Sequence, residues 1–104
     1  SPLPSVSSKA YLATVPEPVA GITLTRLSAT RVRASWPAID NAAPVRYKFR
    51  VYRSGTWTPW RYTVAAGRRA TMTKLAVGSR YRIQVVATNA LGESAPVTVR
   101  FRQR

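Results

Sequence analysis

Apolar and polar residues alternate along most of this chain with a period of two. Val45-Arg46-Tyr47-Lys48-Phe49-Arg50-Val51 is the longest such run; Arg80-Tyr81-Arg82-Ile83 and Val97-Thr98-Val99-Arg100-Phe101-Arg102 follow the same rule. A strand turns successive side chains to opposite faces, so each run predicts a half-buried strand with its cations outside. Residues 30–36 give another, with Val32, Ala34 and Trp36 on one face and Arg31, Arg33 and Ser35 on the other. Pro37 closes it, having no amide to donate to a ladder. No stretch of ten residues carries apolar positions at i, i+3, i+4 and i+7, so no amphipathic helix is predicted.

The remaining elements follow from turn residues. A first strand spans 19–24, broken at Gly21. Asp40 to Pro44 is a loop, and the longest strand covers 45–52. Ser54-Gly55 turns the chain into a strand at 58–64, which Pro59 confines to a sheet edge. Ala65-Ala66-Gly67 turns again, 69–73 is short and extended, and Leu75 to Gly78 is a corner. Strands at 80–88 and 96–102 flank a turn over 89–93. Seven short strands with turn signals every eight to twelve residues predict an all-β, antiparallel sandwich. Residues 1–17, rich in Pro and Ser, read as a tail or linker in which Lys9 to Val15 could form a short edge strand. The folded domain is expected over 18–104.

Several of these residues occur in the order of a known family. Trp36-Pro37 closes the second strand, Tyr47 opens the third, and Leu75, Gly78 and Tyr81 mark a corner leading into a tyrosine. Tyr81-Arg82-Ile83-Gln84-Val85-Val86-Ala87-Thr88-Asn89, continuing through Gly92 to Ser94, completes the pattern Y-x-x-x-V-x-A-x-N-x-x-G-x-S. From about Pro18 to Phe101 the chain resembles a fibronectin type III domain, of the kind found in bacteria and bacteriophages. The resemblance implies a seven-stranded, immunoglobulin-like Greek-key sandwich, with strands 1, 2 and 5 packed on strands 3, 4, 6 and 7. It makes Trp36, Leu75 and Tyr81 structural: a large ring between the sheets, the corner, and a hydroxyl bonded back to the corner's backbone.

Charge adds a second message to the alternation. The chain has 104 residues, with 17 Lys and Arg against three acids, for a net charge of +14. Fourteen of the cations are arginine. A genome rich in G and C would favour arginine over lysine, but it would not remove Asp and Glu. Strand parity combined with the implied strand order puts Arg46, Lys48, Arg50, Arg80, Arg82, Arg100 and Arg102 on one face of the larger sheet. Arg61 is a further candidate, and Arg31 and Arg33 belong to the opposite sheet. Glu17, Asp40 and Glu93 lie in the expected tail and loops, so nothing in the sequence neutralises this face. Trp57 and Trp60 are candidate aromatic contacts, either to a ligand or as partners of the cations.

Composition narrows the chemistry. There is no cysteine and no histidine, which removes thiolate chemistry and the commonest general base and metal ligand. The three acids are scattered, and no phosphate-cradling glycine motif, nucleophile elbow or Arg-Gly-Asp sequence is present. No catalytic residue, metal ligand or cofactor is assigned, and no small-molecule substrate is expected. No apolar run is long enough to span a membrane. The chain starts at Ser1 and reads as a piece of something longer. The expected function is that of a noncatalytic module whose basic face docks an anionic polymer: a cell-wall polymer, an acidic polysaccharide or nucleic acid. The alternative is a structural or assembly module whose basic face meets an acidic protein surface. It would be a spacer beside other domains of a secreted protein, or a bacteriophage decoration or tail component. The expected location is extracellular, at a cell surface, or in a virion.

Overall fold

The computed structural model describes residues 14–64 and 67–104. Among these, nine short strands run β1 (Thr23–Ser28), β2 (Arg31–Ser35), β3 (Arg46–Arg53), β4 (Thr56–Trp57), β5 (Arg61–Tyr62), β6 (Arg69–Met72), β7 (Arg80–Asn89), β8 (Gly92–Glu93) and β9 (Val97–Arg102). The smaller sheet has the order β1-β2-β6. The larger is built on the β3–β7 pair, with β4 and β5 along β3 and with β8 and β9 along β7. Every pairing is antiparallel. The chain changes sheets between β2 and β3 and returns for β6, which makes the Greek key. The two-sheet assignment expected from the sequence holds.

The strand count differs for identifiable reasons. The strand expected over 58–64 is two pieces, β4 and β5, separated by Thr58-Pro59-Trp60, where the proline has no amide for the ladder. Both pieces pair with β3 alone, so Pro59 does sit at the edge. Ser54 and Gly55 have φ of 52° and 80°, a two-residue turn that pairs Arg53 with Thr56 and Tyr52 with Trp57. Glu93, expected in a turn, is in β8 and pairs with Thr88. β1 starts at Thr23, after Gly21 takes a φ of 70°, although Val19 before it is buried. The expected extended segment from Lys9 falls outside the described residues up to position 13, as do Ala65 and Ala66 of the second turn. Thr14 is anchored to the domain, its carbonyl accepting from Asn41 and Asn89.

Alternate residues of the long strands meet between the sheets. Val32, Ala34 and Trp36 face Tyr47, Val51, Ile83, Val85 and Ala87, and Trp36 packs edge-on to Tyr47 with centroids 5.7 Å apart. The Tyr47 hydroxyl accepts from the Ile39 amide at 3.0 Å. At the corner, the Leu75 amide donates to the Thr30 carbonyl, and the Tyr81 hydroxyl accepts from the Ala76 amide at 2.7 Å. Gly78 takes a φ of 87° there, which a side chain would oppose. Ser94 returns to β7 through a reciprocal pair: its amide donates to the Ala87 carbonyl, and its Oγ accepts from the Ala87 amide. Gln103, for which the sequence suggests no role, is 2% exposed, and its amide donates to the carbonyls of Ser28 and Ala29. It ties the end of β9 to the β1–β2 turn and so holds the last strand of the larger sheet against the smaller one.

Candidate anion-binding face

The inward residues of β3, β7 and β9 are committed to the core, and register fixes what their neighbours do. Tyr47, Val51, Ile83 and Val85 are buried. Arg46, Lys48 and Arg50 on β3, Arg80 and Arg82 on β7, and Arg100 and Arg102 on β9 therefore project from the opposite side. Tyr52 pairs with Arg82, Arg82 with Arg100, and Arg80 with Arg102. All seven cations share one face.

That face has two chemically different halves. Over β3 the cations lie against aromatic rings: Lys48 and Arg50 are half-buried, and Arg46 is exposed. The Arg46 guanidinium lies 4.2 Å from the Tyr62 ring centroid, and Lys48 Nζ lies 5.0 Å from that of Trp60. Arg50 sits 4.5 Å from both Trp57 and Trp60, and its Nε donates to Gln84 Oε1 at 2.7 Å. Tyr52 packs edge-on to Trp57 and carries Arg82 at 5.0 Å. Each such contact contributes about 0.5–1 kcal/mol where solvent reaches it. Together they fold the β4–β5 edge back across the outside of β3. Lys48 also donates to Glu93 Oε2 at 2.5 Å. The expectation that no acid neutralises the face is thus corrected: pairing of β8 with β7 carries Glu93 onto it.

Over β7 and β9 the cations are open. Arg80, Arg82, Arg100 and Arg102 are all exposed. Among the described residues, none of the four has a carboxylate or hydrogen-bond partner, and Arg82 alone has a ring contact. Two like-charged pairs face each other directly across the strands. The four arginines line an open cleft of about 340 Å³ with Tyr52, Tyr81 and Phe101. Opposed like charges destabilise a strand pair by a few tenths to about 1 kcal/mol. Arg100→Glu replaces one such pair by an ion pair with Arg82. The variant should gain about 0.5–1 kcal/mol in urea denaturation, and equal or lower stability would show that these guanidinium groups do not repel one another.

Arg61 does not belong to this face. It pairs with Phe49, so it shares the inward side of β3 and lines a cleft between the sheet edges with Phe49, Met72 and Lys74. Trp57 and Trp60 are beside the face, as expected, but cations already occupy their rings. The two-residue turn at Ser54-Gly55 sets Trp57 opposite Tyr52, whereas the strand expected over 58–64 left Trp57 outside it. Beyond it, the break at Pro59 loses the count, so Trp60 and Tyr62 could not be assigned. Among the described residues no group of His, Cys, Asp and Glu could hold a metal ion, and no helix is long and apolar enough to cross a membrane.

The profile of the fibronectin type III domain matches residues 16–100. The chain belongs to the fibronectin type III family. A mutant of FN3tt is similar in structure, with a TM-score of 0.72, 21% identity, and coverage of 86% of this chain and 98% of that one. Domains d3–d4 of the rat CD45 extracellular region give 0.71 at 18% identity, covering 86% of this chain and 51% of theirs. Titin kinase with its flanking domains gives 0.64 at 24% identity, covering 88% and 18%. No curated protein matches. These likenesses establish the fold. In the fibronectin type III frame Trp36, Leu75 and Tyr81 build the sandwich, and the domain is a generic interaction or structural module.

Proposed function

We propose that this fibronectin type III domain is a noncatalytic binding module that docks an anionic polymer on the outer face of its larger sheet, with the β7–β9 end as the working half. One observation carries the reading. Four exposed arginines stand in two directly opposed pairs without a carboxylate partner among the described residues. This arrangement is unfavourable in the free domain and is relieved by a bound anion. Arginine's planar fork suits phosphate, sulfate and carboxylate groups. The β3 half is a rigid backing, its cations held by rings and by Glu93. The domain is taken to act outside the cell, at a surface or on a virion, as one module of a longer chain.

Location on the molecule separates this reading from mere net charge. Arg82→Glu with Arg100→Glu should abolish retention on an immobilised polyanion at physiological salt. Arg31→Glu with Arg33→Glu, the same charge change on the smaller sheet, should leave most of it. Equal losses from the two double variants would count against a specific face.

A second reading has its own support. The CD45 and titin relatives contain this fold as a fraction of longer chains. An assembly module would present the same arginines to an acidic protein surface. It predicts a stable stoichiometric complex with a neighbouring protein and little retention by polymers.

A further inference from the structure

We infer that the four-arginine end of the face grips two successive phosphates of a phosphodiester chain, through its backbone and without reading the groups attached to it. The inference rests on the docking reading above and narrows it to one ligand chemistry.

The number and type of forks favour phosphate. Arg82 with Arg100, and Arg80 with Arg102, approach from neighbouring strands whose axes are about 4.8 Å apart. A carboxylate presents both oxygens in one plane, and a single guanidinium fork fills that edge. A phosphodiester holds its two non-bridging oxygens on a tetrahedral centre, where forks from two directions can share one charge. A pair of opposed arginines therefore fits one phosphate better than one carboxylate.

Spacing points the same way. The two pairs are two residues apart along β7 and β9, which is about 6.6–6.8 Å at the usual strand rise. A polymer engaging both pairs needs charges at nearly that repeat. Three extended backbone bonds span about 3.3–3.6 Å, so a diester chain with about six bonds between phosphates repeats near 7 Å. Charges hung from a large ring system, one per ring or per pair of rings, are spaced more widely.

The rings beside the face are engaged by its own cations. Trp57, Trp60, Tyr62 and Tyr52 already carry Arg50, Lys48, Arg46 and Arg82 on their rings. A base or a sugar stacking on the same side of these rings would displace a cation. The aromatic residues stiffen the platform, and recognition falls to the forks.

The test is fluorescence anisotropy of the whole chain with three labelled probes of equal charge. These are a thymidine oligonucleotide, an abasic strand with the same phosphodiester backbone, and polyglutamate. The two strands should bind within about threefold of each other, and polyglutamate about tenfold or more weaker, the loss of one good charge-assisted contact. Replacing Arg80, Arg82, Arg100 and Arg102 by Lys keeps the charge and removes the forks. It should lower strand binding severalfold more than polyglutamate binding, so that the preference for the strands is lost. Their side chains are exposed and make no hydrogen bonds among the described residues, so the variant should fold; circular dichroism checks this, and Arg82→Lys with Arg100→Lys gives a half-sized effect. Equal binding of polyglutamate and the strands overturns the inference while leaving polyanion docking standing, as does a lysine variant that keeps the preference. A thymidine strand far tighter than the abasic one overturns backbone-only recognition. Failure of all three probes to bind removes the docking reading itself.

Discussion

Reversing Arg82 and Arg100 together to Glu is expected to weaken binding of a polyanion by roughly a hundred- to a thousandfold. A basic residue close to an anionic surface contributes about 1 kcal/mol. The double reversal removes two attractions and adds two repulsions, roughly 3–4 kcal/mol in all, which converts to that range of affinity. The fold should not suffer. Both side chains are exposed and neither makes a hydrogen bond among the described residues, so the thermal midpoint should stay within a few degrees. The contrast lies across the seam. Arg50 is half-buried between Trp57 and Trp60 and bonded to Gln84. Arg50→Glu removes that cation from two rings, and its main effect should be lost stability at the β4–β5 edge. A double variant at Arg82 and Arg100 that binds with wild-type affinity would place docking elsewhere.

Trp36→Ala should cost about 3–5 kcal/mol, the range for emptying a large aromatic site in a core. Trp36 is 4% exposed and spans the space between the sheets, edge-on to Tyr47. Its backbone amide also donates to the carbonyl of Arg68, just before β6, but that bond survives truncation. The neighbours cannot refill the space, because Ala34 and Ala70 beside it are small and Tyr47 is fixed by its bond to Ile39. Domains of this kind are stable by only about 5–15 kcal/mol, so the variant should unfold at far lower urea with an unchanged slope. A loss below about 1 kcal/mol would mean the ring is not the centre of the core.

Strand parity is legible wherever one face is buried, because a slip of one residue would expose Tyr47, Ile83 and Val85 together. The placement of Arg46, Lys48 and Arg50 on one side, with Arg80, Arg82, Arg100 and Arg102 beside them, follows from that alone once strand order is known. What the alternation does not encode is how side chains lie after they leave the sheet. Trp60 and Tyr62 cover β3 because Pro59 interrupts β4–β5 and lets the edge curl, a three-dimensional consequence with no periodic signature. Glu93 reads as a turn residue, being next to Gly92, and its contact with Lys48 crosses from β8 to β3. Gln103 looks like any polar residue after a last strand. Its burial depends on the β1–β2 turn arriving beside it, which is a long-range packing event.

On this reading the arginines of β7 and β9, and not the cations of β3, hold the polymer. Counterion release tests it most directly. Binding of a single-stranded phosphodiester probe should be measured from about 50 mM to about 200 mM salt, and log affinity plotted against log salt. Two phosphates gripped by the four arginines predict a slope of about −1.4 for the wild type, at about −0.7 per phosphate. With Arg82→Glu and Arg100→Glu the slope should collapse toward zero, whereas Arg31→Glu with Arg33→Glu should leave it nearly unchanged. A flat wild-type line, or one equally steep after the face is reversed, would contradict the account.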